Sequence, residues 1–299
     1  MDYQNITVAG SGVLGSQIAY QSAFKGFNVT VYDINDEALK NAQDRITKLK
    51  PLYQKDLGAT QEEVNAAYAR LSFKSDLSEA VANADLVIEA IPEVVTIKTE
   101  FYTNLGKVAP AKTIFATNSS TLLPSQFAEA TGRPEKFLAL HFANTIWKNN
   151  TAEIMKHPGT DMNVFDEVVK FALAIGMVPL QLYKEQPGYI LNSLLVPFLD
   201  AAESLLVKEI ADPETIDKTW MIATGAPLGP FAILDIIGIN TSLNIVEAKA
   251  AATNDESLNK LANLLRTKYI EKGKLGRASG EGFYKYPNPS FEKPDFLKG

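Results

Sequence analysis

The stretch NITVAGSGVLGSQIAY, residues 5–20, decides how the chain folds. A β-branched run at 6–9 leads straight into Gly10-Ser-Gly12-Val-Leu-Gly15, and a helical pattern follows without a gap. Each glycine has a physical task in that setting. Gly10 permits a tight turn, Gly12 lets a pyrophosphate approach the backbone, and Gly15 lets the helix pack closely on the strand. Val13 and Leu14 fall in the first helical turn, where unpaired N–H groups face the phosphates. A second run, NVTVYD at 28–33, ends in Asp33, at the spacing of the acid that holds the ribose hydroxyls in dinucleotide-binding domains. Its carboxylate repels a 2′-phosphate, and neither Ile34 nor Asn35 supplies a cation, so NAD is expected over NADP. No Gly-Lys-Ser/Thr follows the loop, which excludes a Walker-type phosphate site.

Further strands are expected at 71–73, 86–89, 113–116, 137–141, 152–155 and 178–182, with helices at 13–25, 94–107 and 161–175. This alternation is that of a parallel, doubly wound α/β sheet of Rossmann type with both faces covered. The charge-laced segment 36–70 reads as two helices with a turn at Gly58. It is too long for an ordinary connection and is expected to stand off the sheet as a helical arm. Beyond Tyr183 the strand signal vanishes. A helix opens near Gly188 with Leu191, Leu194, Leu195, Phe198, Ala202, Leu205 and Leu206 among its apolar positions, and further helices follow at 213–223, 231–250 and 256–272. Two domains are therefore expected: a dinucleotide-binding domain at 1–184 and an all-helical domain at 185–299. The apolar surplus of the second points to a homodimer formed through it.

Composition narrows the function. Of 299 residues, 46% are hydrophobic and 21% charged, enough for packed cores. A net charge of −6 argues against a nucleic-acid partner, because binding phosphates needs a basic surface. The first residues show no basic leader, and the apolar stretch 189–207 is interrupted by Asn192, Ser193, Pro197, Asp200 and Glu203, so a cytoplasmic protein with no membrane span is expected. The absence of cysteine removes thiol nucleophiles and thiolate metal sites, and with two histidines, His141 and His157, no metal centre is expected. Any imidazole acid or base must be one of these two.

His141 closes the apolar run FLALH at 137–141, which places it at the C-terminal end of a strand, the edge where open α/β sheets bind ligands. Glu153 lies twelve residues on in NTAEIM, and a chain reversal between them would bring carboxylate to imidazole, fixing its tautomer and stabilising the imidazolium. His157, in the polar turn KHPGT, is expected at the surface. ATNSST at 116–121 presents hydroxyls, Ser120 among them, at the same sheet edge, or simply makes a turn. Asn192 interrupts an apolar helix face and must meet a polar partner, either a structural network or a substrate carbonyl. Glu89 and Glu93, in VIEAIPE at 87–93, end another strand and either face the cofactor or are satisfied loop carboxylates.

Taken together, GSGVLG, Asp33, VIEAIPE, ATNSSTL, the His141–Glu153 pair, QPGYILNSLLVP, GAPLGPFAILDIIG and GEGFYKY resemble the L-3-hydroxyacyl-CoA dehydrogenase family along nearly the whole chain. The resemblance implies NAD-dependent interconversion of (S)-3-hydroxyacyl-CoA and 3-ketoacyl-CoA, in fatty acid metabolism. It implies that His141 is the general base, that Glu153 orients it, that Ser120 bonds the reacting oxygen and that Asn192 holds the substrate. Glu93, Lys98 and Asn144 match positions that contact the cofactor. The segment HFANTIWKNNTAE at 141–153 departs from the family's usual HFFNPVPxMKLVE, with Ala143 in place of an aromatic, Thr145 in place of a proline, and Trp147, Asn149 and Asn150 added. By spacing from Asp33, the serine and lysine that contact CoA in the family fall near Leu49 and Asp56, while Lys48, Lys50 or Lys55 are possible substitutes. These departures resemble a diketoreductase branch, which reduces free β-keto and diketo esters. A non-catalytic NAD-binding structural protein is the third reading.

Overall fold

The short apolar and β-branched runs pair side by side. In the computed structural model, which describes residues 3–298, the described residues form one eight-stranded sheet. Its strands are β1 (Asn5–Ala9), β2 (Asn28–Tyr32), β3 (Leu71–Lys74), β4 (Leu86–Glu89), β5 (Ile114–Thr117), β6 (Phe137–Phe142), β7 (Thr151–Met155) and β8 (Val178–Leu182), in the order β3-β2-β1-β4-β5-β6-β7-β8. The chain steps from β1 outward to β2 and β3, then returns to the other side of β1 for β4, so the direction of winding reverses between β1 and β4. Crevices at such reversals bind ligands.

The sheet is not wholly parallel, as its alternating pattern suggested. β7 runs antiparallel to β6, and β8 is parallel to β7. The reason is local: residues 143–150 reverse the chain as a loop, whereas a parallel neighbour needs a crossover long enough to hold a helix.

Helix α1 (Val13–Phe24) is buried from Gly15 through Ala23. Covering it are α2 (Asp36–Leu57) and α3 (Gln61–Ala69), so the expected arm does not stand off. Leu39, Ala42, Ile46, Leu49 and Tyr53 recur at the three- and four-residue steps of one helical face, and all are buried with Ile18 and Ala19 in the main core. Asn35 caps α2 by accepting from Ala38 N–H, and Thr60 with Glu63 forms a capping box that starts α3. A short helix, α4 (Leu77–Val81), follows β3, and α5 (Val95–Val108) and α6 (Met162–Ala174) complete the cover.

The chain divides into two units between Ile190 and Leu191, within the first turn of α7 (Tyr189–Val207). The second unit continues with α8 (Pro213–Thr224), α9 (Pro230–Ile237), α10 (Ile239–Thr253) and α11 (Glu256–Lys268). The single helix expected at 231–250 is broken at Gly238, whose φ of 97° lets α9 and α10 meet at 99°. Helix α7 is long and apolar enough to cross a membrane by composition, yet its Asp200 pairs with Lys249 and its Glu203 accepts from Ser242. GAPLGPFAILDIIG and GEGFYKY meet through two buried carboxylates. Asp217 takes the N–H groups of Phe231 and Ala232 and the Tyr284 hydroxyl, while Asp235 takes the N–H groups of Phe283 and Tyr284.

Candidate active site

The glycine loop leaves β1 at the reversal point. A Cβ on Gly10 would lie 2.5 Å from the Ala90 carbonyl oxygen, and one on Gly15 would lie 1.9 Å from that of Gly10, so both glycines are required by the fold itself. Gly12 differs. A Cβ there would meet nothing within 4 Å, so the loop's own packing does not demand glycine. The open space lies at the mouth of α1, where the N-terminal N–H groups suit a pyrophosphate, and the residues present fit a dinucleotide.

Two clefts run along this edge. One of about 700 Å³ is lined by Gly10, Ser11, Gly12, Tyr32, Asp33, Ala90 and Phe101, among others. Asp33 accepts from the Ser11 N–H at 2.8 Å and from the Ser11 hydroxyl, with its other oxygen bonded to Ile34 N–H. The same cleft holds a cation that the residues next to Asp33 did not reveal. Ala38, Asn41 and Arg45, on one face of α2, all line it, and Arg45 donates to the Ser11 carbonyl at 2.9 Å.

The second cleft, about 280 Å³, is lined by Gly12, Val13, Leu14, Gly15, Glu93, Lys98, Asn118 and Ser120, with Ala90, Ile91 and Thr121. Glu93 anchors the loop after β5, accepting from Ser120 N–H, Thr121 N–H and the Ser119 hydroxyl. Burial acts to raise its pKa, but these donors and the Lys98 ammonium outweigh it and bring the carboxyl down to about 2. Lys98 is 1% exposed and bridges two acids, Glu89 at 2.5 Å and Glu93 at 3.3 Å. Glu89 is fully buried and does not face the cleft. It accepts from Tyr102, Thr117 and Ile91 N–H besides Lys98. Asn144 lines neither cleft; it is exposed after β6, its carbonyl accepting from Asn149.

His141 and Glu153 stand directly opposite each other in the β6–β7 ladder, so their side chains share a face. His141 Nδ1 is 3.0 Å from Glu153 Oε2, and its Nε2 is 3.2 Å from the Ser120 hydroxyl. Beside an ionised Glu153 a neutral imidazole carries its proton on Nδ1, which leaves Nε2 to accept from Ser120. Both members of the pair are buried, at 6% and 3% exposure. Asn118 ties the two strand ends together by accepting from Phe142 N–H. Sequence reasoning missed Tyr189, which stacks on His141, and the Ile190 N–H, which donates to Glu153 at 2.9 Å. Asn192 lies in the second unit on α7, half-buried.

His157 is not at the surface as expected. It is 5% exposed, bonded through Nε2 to the Pro134 carbonyl and through Nδ1 to Gly159 N–H, which fixes a turn. The loop 143–150 is held from several sides. Gln17 of α1 accepts from Thr145 and Ile146 N–H, and Asn150 donates to the Gly176 carbonyl. Trp147 packs against Tyr53 with ring centroids 5.1 Å apart and donates its indole N–H to Asp56 at 2.9 Å. Lys148 adds an ion pair to Asp56 at 3.6 Å. The Trp147 bond, and then Lys148, hold the Asp56 carboxyl below its usual range against the opposing effect of burial. Leu49 is buried in the core, and Lys50 lies over the Tyr68 ring and bonds Asn65.

The chain matches known proteins along most of its length. The NAD binding domain of 3-hydroxyacyl-CoA dehydrogenase matches residues 5–186, and the C-terminal domain of the same family matches 188–286. The chain is 34% identical over 286 residues to a probable 3-hydroxybutyryl-CoA dehydrogenase of Bacillus subtilis, covering 96% of this chain and 98% of that one. It is 34% identical over 288 residues to the human mitochondrial hydroxyacyl-coenzyme A dehydrogenase, covering 95% and 91%. A solved diketoreductase, described as a substrate-directed dual catalyst of dicarbonyl compounds, superposes with a TM-score of 0.91 at 56% identity, covering 96% of this chain and all of that one.

Proposed function

Because the chain belongs to the 3-hydroxyacyl-CoA dehydrogenase family and is an NAD-dependent enzyme, we propose that it interconverts a 3-hydroxy compound and its 3-oxo partner, with a free dicarbonyl ester as substrate. NAD, when bound, supplies or accepts the hydride at its nicotinamide ring. The chain's residues do the rest. His141 Nε2 takes the hydroxyl proton during oxidation and returns it during reduction, while Glu153 holds the tautomer and balances the imidazolium. Ser120 bonds the reacting oxygen beside Nε2. Gly10, Gly12, Val13, Leu14 and Gly15 cradle the pyrophosphate, Asp33 binds the ribose, and Glu93 with Lys98 shapes the neighbouring cleft. The roles of Asn144 and Asn192 rest on the family resemblance alone.

One observation favours the free ester. Where the resemblance puts a serine and a lysine for CoA, this chain has the buried Leu49 and the anionic Asp56, already engaged by Trp147 and Lys148. Neither offers a phosphate a hydroxyl or a cation. The 56% identity to a diketoreductase points the same way. A CoA thioester is the second reading, favoured by full-length identity to 3-hydroxybutyryl-CoA and hydroxyacyl-CoA dehydrogenases. Initial rates of NADH oxidation with a free diketo ester and with acetoacetyl-CoA separate the two. A kcat/KM at least about tenfold higher for the ester, a 1.4 kcal/mol preference, is expected, and a preference for acetoacetyl-CoA would transfer the assignment to the thioester.

Cofactor choice gives another prediction. Asp33→Ser should weaken NADH binding by about tenfold, the worth of a hydrogen bond to a charged group. Because Arg45 stays in the cleft, the same change should improve NADPH binding. Fluorescence titration with both dinucleotides measures this. Unimproved NADPH binding would mean that Asp33 is not what excludes the 2′-phosphate.

A further inference from the structure

Tyr189 enters neither the chemistry above nor any motif role read from the sequence, yet its ring stacks on the proposed base. Its ring lies against His141 with centroids 4.6 Å apart and planes only 22° from parallel. Its hydroxyl donates to the Ser119 carbonyl at 2.8 Å, so the ring is tied to the residue that precedes Ser120. It is 1% exposed. Its backbone has a φ of 55°, directly after Gly188 at 78°. A bulky side chain rarely adopts that left-handed conformation, and its surroundings must hold it there. Ile190, the next residue, donates its N–H to Glu153 Oε1. Thus one turn of chain, opening α7, grips the imidazole by its face and the carboxylate by its second oxygen.

We infer that Tyr189 is a positioning residue, an aromatic plate that fixes the His141 ring so that Nδ1 faces Glu153 and Nε2 faces Ser120. The physical need is plain. Hydrogen bonds at Nδ1 and Nε2 constrain the imidazole in its own plane, and the Ser120 bond is broken whenever the serine turns to a substrate oxygen. With that bond released, rotation about the Cβ–Cγ bond is resisted only by Glu153 and by whatever covers the ring face. A parallel ring supplies that resistance, and its π-face also suits the imidazolium formed when the proton is taken. The Tyr189 hydroxyl links the plate to the loop that carries Ser120, so plate, base and serine keep one spacing.

The inference rests on His141 being the proton carrier, and its test includes a reading that does not depend on turnover. The chain has only two histidines, so ¹⁵N-histidine labelling gives two imidazoles, with the buried His157 as an internal control. In the unaltered protein His141 should show a single tautomer with the proton on Nδ1. Tyr189→Leu should give averaged tautomer signals at His141 with His157 unchanged, and should lower kcat by about tenfold to a hundredfold, the scale for a misplaced catalytic group, with NADH affinity unmoved. Tyr189→Phe keeps the plate and cuts the tether, so it should retain the single tautomer and most of the rate. An unaltered His141 spectrum in Tyr189→Leu, equal disturbance of His157, or loss of the single tautomer in Tyr189→Phe would each overturn the inference. Should Tyr189→Leu fail to fold, Tyr189→Phe alone decides. If His141→Ala turns over normally, the proposed function fails while the tautomer result still reports on the plate.

Discussion

His141→Ala is expected to lower kcat by about 10²- to 10⁴-fold, the usual worth of general acid–base catalysis, and to leave NADH affinity unchanged. The separation follows from position. His141 sits near the end of β6, bonded to Glu153 and Ser120, whereas the glycine loop, Asp33 and Arg45 that line the larger cleft belong to β1, β2 and α2. Removing the imidazole strips no ligand from that cleft. It does leave Glu153 buried beside a small void, although Ile190 N–H still satisfies one of its oxygens. Steady-state rates with a 3-oxo ester, paired with NADH titration, measure both halves. A variant that keeps its rate removes His141 from the chemistry, and one that loses NADH binding shows that the two regions are not separable as described.

Lys98→Met should destabilise the first unit by about 3–5 kcal/mol, the range for breaking a buried ion pair from one side. Lys98 is 1% exposed and Glu89 is fully buried, so water cannot take over for the missing ammonium. Glu89 would keep three donors, from Tyr102, Thr117 and Ile91, but would carry an uncompensated charge. Urea denaturation followed by circular dichroism reads the loss. Adding Glu89→Gln to the variant removes the stranded charge and should recover most of the stability. A midpoint equal to that of the unaltered protein, for Lys98→Met alone, would show that the pair does not hold this part of the fold.

Strands and the dinucleotide loop were legible because both depend on short-range physics. Short apolar runs, most of them with β-branched residues, mark all eight strands, while Gly10 and Gly15 are dictated by close contacts with the turn after β4 and within the loop itself. What was not legible depends on distance. α4 is only five residues long, too short to show a period. Gly238 falls inside the helix expected at 231–250, and nothing nearby in sequence reveals that α10 turns away there. The reversal at β7 entered the sequence reading only as the condition for pairing His141 with Glu153; what pins the 143–150 loop, Gln17 and Asp56, could not be read. The sequence marks Trp147 and Asp56 as two separate departures from the family, 91 positions apart; the structure makes them one contact. Arg45 could have been found, because Ala38, Asn41 and Arg45 repeat at three and four residues on the helix that follows Asp33. Tyr189 could not, since its meaning lies in a left-handed backbone and a ring stacked across 48 residues of chain.

The central claim is that the imidazole at the end of β6, braced by Glu153, serves hydride transfer to a carbonyl. Isotope transfer tests it most directly. The enzyme is given NADH deuterated at nicotinamide C4, once per face, together with a free 3-oxo ester or acetoacetyl-CoA, and the hydroxy product is weighed by mass spectrometry. The account predicts one deuterium in the product from one labelled face, and label incorporation slower by about 10²- to 10⁴-fold with His141→Ala. No label in either product, while the protein binds NADH, or an equal rate of labelling with His141→Ala, would contradict it.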